Sequence, residues 1–196
     1  HYLGLFHLLY NYFHNTPLLI YDTIYLGDFM NKPLAFKVRP QNIDEVIGQE
    51  HLLGPNQALR NMVENKAISS MIFFGPPGTG KTTVAMAIAN SLNKSYRIFN
   101  AVSDNKKKLD QLFVEAEMSN GLVVIIDEVH RMNKNIQDAL LPHVESGLIT
   151  MIGATTANPL FSINPAIRSR VHLFEFLPLT SDNMLTILKN ATEKMG

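Results

Sequence analysis

Gly75-Pro76-Pro77-Gly78-Thr79-Gly80-Lys81-Thr82, residues 75–82, decides the fold of this chain. Gly75, Gly80, Lys81 and Thr82 fall on the G-x-x-x-x-G-K-[ST] spacing of a phosphate-binding loop. Four such positions match by chance in roughly one chain of this length in a few hundred, so the match assigns a nucleoside triphosphate site. The glycines let backbone N–H groups of the loop turn toward phosphate oxygens, and the helix N-terminus that follows adds a favourable field. Lys81 supplies a point charge to the β- and γ-phosphates, and the Thr82 hydroxyl, followed by Thr83, is a ligand for Mg²⁺.

Working outward, the apolar run Met71 to Phe74 predicts a buried strand entering the loop. Val84, Ala85, Ile88 and Leu92 mark one face of a helix over 81–92. A second strand is predicted over 97–101. The next helix carries an i, i+3, i+4, i+7 stripe of Leu109, Leu112, Phe113 and Ala116, with Ser103 or Asp104 as its cap. Leu122 to Ile126 is a continuous apolar run, as expected of a central strand covered on both faces. Ile136, Ala139, Leu140 and Val144 define a further helix, in which Pro142 predicts a kink. Strands over 150–154 and 171–176 follow. Thr180 or Ser181 then caps a last helix carrying Met184, Leu185 and Leu188. Strands alternating with helices in this way predict an α/β fold with a parallel sheet.

Hydrophobic residues make up 46% of the 196, and charged residues 17%, which excludes a disordered chain. Formal net charge is zero, so any nucleic-acid contact must come from a local patch. There are no cysteines, which excludes disulfides and Cys-ligated zinc. The seven histidines are scattered, and no metal site built from side chains alone is expected; His130, His143 and His172 read as structural or incidental.

Residues 1–29 differ from the rest. They hold five of the six tyrosines and no Lys or Arg, and they lack the basic start and small-residue cleavage site of a secretory signal. Asn11, His14, Asn15, Pro17 and Asp22 break their apolar runs well short of a membrane span. They read as a translated leader, with Met30 as the start, because Leu26-Gly27-Asp28-Phe29 permits a purine-rich ribosome-binding sequence just ahead of it. Residues 30–178 are then the nucleotide-binding core, and 179–196 the first helix of a truncated lid.

Asp127 and Glu128 stand at the C-terminal end of the central strand, the edge where open parallel sheets bind ligands. Asp127 is placed to hold Mg²⁺, and Glu128 to orient and deprotonate the attacking water. Two adjacent carboxylates with separate roles mark a hydrolase; a nucleotide switch needs only the first. After the fourth strand, Thr155-Thr156-Ala157-Asn158 offers hydroxyls and an amide to sense the γ-phosphate. Arg168-Ser169-Arg170 offers an arginine to a neighbouring subunit's γ-phosphate. Lys106-Lys107-Lys108 reads as a solvated helix face or, with Lys94, Arg97 and Lys134, as a contact for nucleic-acid phosphates.

Five segments carry a family resemblance: RPQNIDEVIGQEHLLG, FFGPPGTGKTT, IIDEVHRMNKNIQDALLPHVESG, IGATTANP and NPAIRSR. Together they resemble the AAA+ ATPase module of the clamp-loader-like branch. Within it they are most similar to the bacterial replication-associated recombination protein A family and its eukaryotic relatives, the Werner-helicase-interacting ATPases. The resemblance spans about residues 32–190. It implies a three-layer P-loop NTPase domain with a five-stranded parallel sheet of order 5-1-4-3-2, a helical lid, and ATP sites between subunits of a homo-oligomer. It assigns Gly75 to Thr83 and the segment Arg39, Pro40, Ile47 and Gly48 to ATP, with the latter four bracketing adenine. Thr82 and Asp127 go to Mg²⁺, Glu128 to water, Thr156 or Asn158 to the first sensor and Arg170 to the trans finger. The family usually has an acidic residue where this chain has Ala157, which leaves both sensor candidates open. The lid's later helices, with a second sensor arginine, have no counterpart in these 196 residues.

The function implied is an ATP-hydrolysing remodelling factor of the bacterial cytoplasm and nucleoid. It would act on forked, gapped or single-stranded DNA ends and on replication and repair proteins at stalled forks, with no membrane role. A clamp-loader subunit or a Holliday-junction branch-migration motor shares several of these motifs. A reading from another class is a fragment or scaffold that binds nucleotide without turning it over.

Overall fold

The computed structural model describes residues 38–193. The proposed leader and the Met30 start lie outside these residues.

Five strands form one all-parallel sheet: β1 Met71–Phe74, β2 Tyr96–Asn100, β3 Leu122–Asp127, β4 Ile149–Thr155 and β5 His172–Glu175. They are ordered β2-β3-β4-β1-β5, which is the expected 5-1-4-3-2 sheet. Ahead of β1 come a 3₁₀ turn at Ile43–Glu45 and the short helices α1 Glu50–Leu53 and α2 Ala58–Glu64. The crossovers carry α3 Lys81–Ser91, α4 Lys106–Met118, α5 Lys134–Glu145, α6 Pro159–Ser162 and α7 Pro165–Arg168. The last described element is α8 Ser181–Glu193.

β3 shows why the sequence gives this architecture. All six of its residues are buried. Leu122, Val124 and Ile126 face a core built with α4 and α5, through Leu109, Leu112, Ile136 and Leu140. Val123 and Ile125 face a second core, built with Val84, Ala85 and Ile88 of α3. Side chains of a strand alternate between faces, so a strand covered on both faces must be apolar throughout. Each such side chain contributes about 1.5–3 kcal/mol of burial. The same parity puts Asp127 on the α3 side of the sheet, where the phosphate loop ends.

α3 is buried along Val84–Ala89, and its alanines let it approach the sheet closely. α4 buries the expected stripe, but its cap is Asn105, whose Oδ1 accepts the Lys108 N–H at 3.1 Å. Neither predicted residue serves. The Asp104 carboxylate turns back to accept the Asn100 N–H at 2.7 Å and to pair with Lys108 at 2.8 Å, which closes the turn after β2. α5, capped by Asn133, continues through Pro142 to Glu145. Pro142 is exposed, so solvent can reach the carbonyl that its missing N–H frees. At the start of α8, Thr180 N–H donates to Asn183 Oδ1 and Asn183 N–H donates to Thr180 Oγ1, a reciprocal cap.

Candidate nucleotide-hydrolysis site

The loop from Gly75 to Gly80 leaves the C-terminal end of β1 and enters α3, beside the ends of β3 and β4. Gly75 has φ 141°, and a Cβ there would stand 2.2 Å from the Phe176 carbonyl oxygen, so only glycine lets the loop lie this close to the end of β5. Gly80, at φ 88°, precedes α3 with no side-chain cap, and a Cβ there would meet nothing within 4 Å. An uncapped helix start facing open space leaves first-turn N–H groups for an anion.

Lys81 is buried, and its Nζ donates to the carbonyls of Gly75 at 2.9 Å and Pro76 at 2.6 Å and to Thr79 Oγ1 at 3.3 Å. Burial lowers its pKa to about 8, against the opposing pull of the Glu128 and Asp127 carboxylates. The Asp127 carboxyl is pushed up by burial, partly offset by hydrogen bonds from the Thr82 hydroxyl and the Glu128 N–H and by Lys81. Thr82 Oγ1 donates to Asp127 Oδ1 at 3.2 Å. Both buried charges therefore shift toward neutrality. An anion at Lys81 and a cation at the paired Thr82 and Asp127 oxygens would compensate them, and this donor set of hard oxygens fits Mg²⁺.

Glu128 has left-handed backbone, φ 53°, and turns the chain from β3 into a 3₁₀ turn at Val129–Arg131. Its carboxylate Oε2 lies 3.2 Å from His130 Nδ1, and the same nitrogen lies 2.8 Å from the Oγ1 of Thr155, a buried hydroxyl at the end of β4. The Thr155 oxygen also accepts the Ala157 N–H at 2.9 Å. Thr156 and Asn158 both lie exposed on the loop so formed, and Asn158 Oδ1 caps α6 through the Leu160 N–H.

The N-terminal segment divides between two neighbours. Arg39 and Pro40 line a small cleft with Thr83, Met86 and Asn90 of α3. Gly48 packs under the segment that leads into α8, where a Cβ would stand 2.7 Å from Leu179. Ile47, next to it, is half-buried.

Arg170 is not brought to this site. Its guanidinium pairs with Glu145 at 2.5 Å and donates to the Ala166 carbonyl and Ser169 Oγ. It precedes β5, whose first residue His172 registers with Met71, the start of β1. The loop follows the end of β1. Arg170 and the loop are thus near opposite ends of strands four residues long, about 13 Å of extended chain apart.

Two side chains matter more than their sequence suggested. One is His130. The other is Gln49, at φ 62° and buried, whose amide accepts from the Leu177 N–H at 3.0 Å, donates to the Leu177 carbonyl at 2.7 Å, and reaches the Thr79 carbonyl at 3.4 Å. It fastens the loop to the segment between β5 and α8. The sequence signal was slight: a polar side chain between Gly48 and an apolar helix for Gln49, and a polar residue two places after Glu128 for His130.

Residues 71–179 match the model of the ATPase family associated with various cellular activities (AAA), and residues 34–107 that of the TIP49 P-loop domain. The chain belongs to the AAA ATPase family. It is 50% identical to the replication-associated recombination protein A of Bacillus subtilis over 163 residues, 83% of this chain and 38% of that protein. Its identity to the Escherichia coli K12 protein of the same name is 40%, over 83% of this chain and 37% of that protein. The ATPase WRNIP1 of Dictyostelium discoideum is 37% identical over 86% of this chain and 20% of its own length. The chain thus spans well under half of these relatives. Among solved structures, the RuvB Holliday junction branch migration motor of Thermotoga maritima superimposes with a TM-score of 0.68 at 29% identity, over 81% of this chain and 55% of that one. Among the described residues, no helix is long and apolar enough to cross a membrane.

Proposed function

We propose that this AAA chain is the nucleotide-binding core of an ATPase that remodels DNA, or proteins on DNA, during replication-associated recombination and repair at stalled forks. The observation that carries the hydrolytic part is the meeting of Thr82 and Asp127 at 3.2 Å beside buried Lys81, with Glu128 next in the chain. Gly75 to Gly80 and Lys81 hold the triphosphate. Thr82 and Asp127 would hold Mg²⁺, which, when bound, neutralises charge developing on the phosphates. Glu128 orients the attacking water and accepts its proton. Thr156 or Asn158 senses the γ-phosphate. Arg39, Pro40, Ile47 and Gly48 enclose the base.

Arg170 acts on the ATP of a neighbouring copy, which makes the working protein a homo-oligomer. The distance between Arg170 and its own loop supports this. It also means that the 196 residues alone bind ATP better than they turn it over. Residues 30–178 serve as the core and 179–196 open a lid. Lys106 and Lys107 are exposed on the first turn of α4, where the helix dipole disfavours them, and they support a contact with DNA phosphates. Lys108 and Arg97 are instead tied to Asp104 and Glu115. The bacterial cytoplasm, at the nucleoid, is the setting this reading requires.

A second reading, a Holliday-junction branch-migration motor, is favoured by the RuvB superposition. ATPase assays of the protein containing this chain separate the two. Stimulation by forked or gapped ends beyond that by four-way junctions supports the fork reading. The reverse order supports the motor.

A further inference from the structure

We propose that His130 is a positioning residue for Glu128, and that it ties the carboxylate to the sensor loop through Thr155. The inference rests on Glu128 being the base. His130 Nδ1 faces two oxygens at once, Glu128 Oε2 at 3.2 Å and Thr155 Oγ1 at 2.8 Å. It is the carboxylate's one side-chain partner among the described residues. A ring nitrogen presenting its lone pair to a carboxylate would repel it, so the proton belongs on Nδ1, shared between the two oxygens. The Thr155 oxygen accepts that proton together with the Ala157 N–H, while its own hydrogen points toward the Ala157 carbonyl at 3.5 Å.

This linkage joins the turn that follows β3 to the last residue of β4. Thr155 is the last residue of β4, in register with Phe74 at the mouth of the phosphate loop, and is buried. By strand parity it points to the face of the sheet opposite Asp127, the face on which Val129 and Met132 are buried. Glu128 leaves β3 in a left-handed conformation, and among the described residues only the His130 ring stands within hydrogen-bond reach of its carboxylate. The Ala157 N–H then carries the linkage into the loop that holds Thr156 and Asn158. A shift of that loop toward a γ-phosphate would move Thr155, and through His130 the carboxylate. The metal-holding side of the site and the water-activating side are thus kept in register by two different adjacent strands.

The test has a structural arm and a kinetic arm. Nitrogen NMR of the full chain, with its imidazoles labelled and the pH well above the ordinary imidazole pKa, should show His130 as the Nδ1–H tautomer. Glu128→Ala should convert it to Nε2–H, with the Thr155 hydroxyl now donating to Nδ1. In ATP turnover, His130→Ala should lower kcat on the order of tenfold to a hundredfold while leaving nucleotide affinity within about twofold. His130→Asn, whose amide can present a donor where Nδ1–H stood, should recover most of the loss. An Nε2–H tautomer in the unaltered chain, or equal turnover for the Ala and Asn variants, would overturn the proposal. Failure of the underlying reading looks different: Glu128→Gln would turn over normally while the His130 tautomer stayed Nδ1–H.

Discussion

Lys81 meets two opposing demands. The fold buries its ammonium under the loop's own carbonyls and lowers its pKa to about 8, whereas a phosphate oxyanion favours the charged form. Binding of nucleotide therefore takes up a proton wherever the pH exceeds that value. Affinity for a slowly hydrolysed ATP analogue should be level below pH 8 and fall roughly tenfold per unit well above it. Titrations on both sides of that pH check this, and a flat profile would contradict it. The sign for stability is the reverse. Between about 8 and the ordinary lysine value of 10.5 the unfolded chain binds more protons at this side chain than the folded one. The Lys81 contribution to the stability of the protein alone therefore grows with pH across that window. Asp127 works in the opposite sense: burial raises its pKa, so it costs stability once ionised, and a cation between it and Thr82 would relieve that cost.

At the scale of elements, the loop is fixed by what its glycines touch. Gly75→Ala would place a methyl group 2.2 Å from a backbone oxygen that cannot move without disturbing β5. Gly80→Ala would strain the backbone but meet open space. We expect the first to lower stability by about 2–4 kcal/mol and the second by only about 1–2 kcal/mol, since it carries strain without overlap. Gly80→Ala should nonetheless weaken nucleotide binding. Denaturation midpoints beside binding isotherms check the pair, and equal losses of stability would contradict the packing described.

The strands were legible because burial on both faces leaves β3 no choice but an apolar run, and because the phosphate loop requires a strand before it and a helix after it; their order was what the family resemblance implied. Asp127 followed from the same strand. What escaped was set by a local competition between neighbouring polar residues in one case and by contacts distant in sequence in two others. The Asn105 cap was hidden because Asp104 is drawn back to Asn100. The clasp of Gln49 reaches Leu177, 128 residues away. The partnership of His130 depends on Thr155, which is brought beside it only by the pairing of β3 with β4.

For the whole molecule, the proposal that hydrolysis needs a neighbouring copy rests on where Arg170 lies. Arg170 sits at the far end of β5 from its own loop, tied to Glu145. In the protein that contains this chain, a mixture of Arg170→Ala and Lys81→Ala subunits should recover part of the ATPase that each variant lacks. A neighbour pair then exists in which a sound loop faces a sound arginine. Failure to recover any activity would argue that the arginine serves its own subunit or none. Beneath assembly, DNA and lid, everything rests on the loop being a triphosphate site. Equilibrium binding of ATP with Mg²⁺ to the purified chain and to Lys81→Ala tests that most directly. Losing a buried charge-paired contact of about 2 kcal/mol or more should weaken binding at least about thirtyfold in the variant, whereas equal affinity for the two proteins would contradict the site.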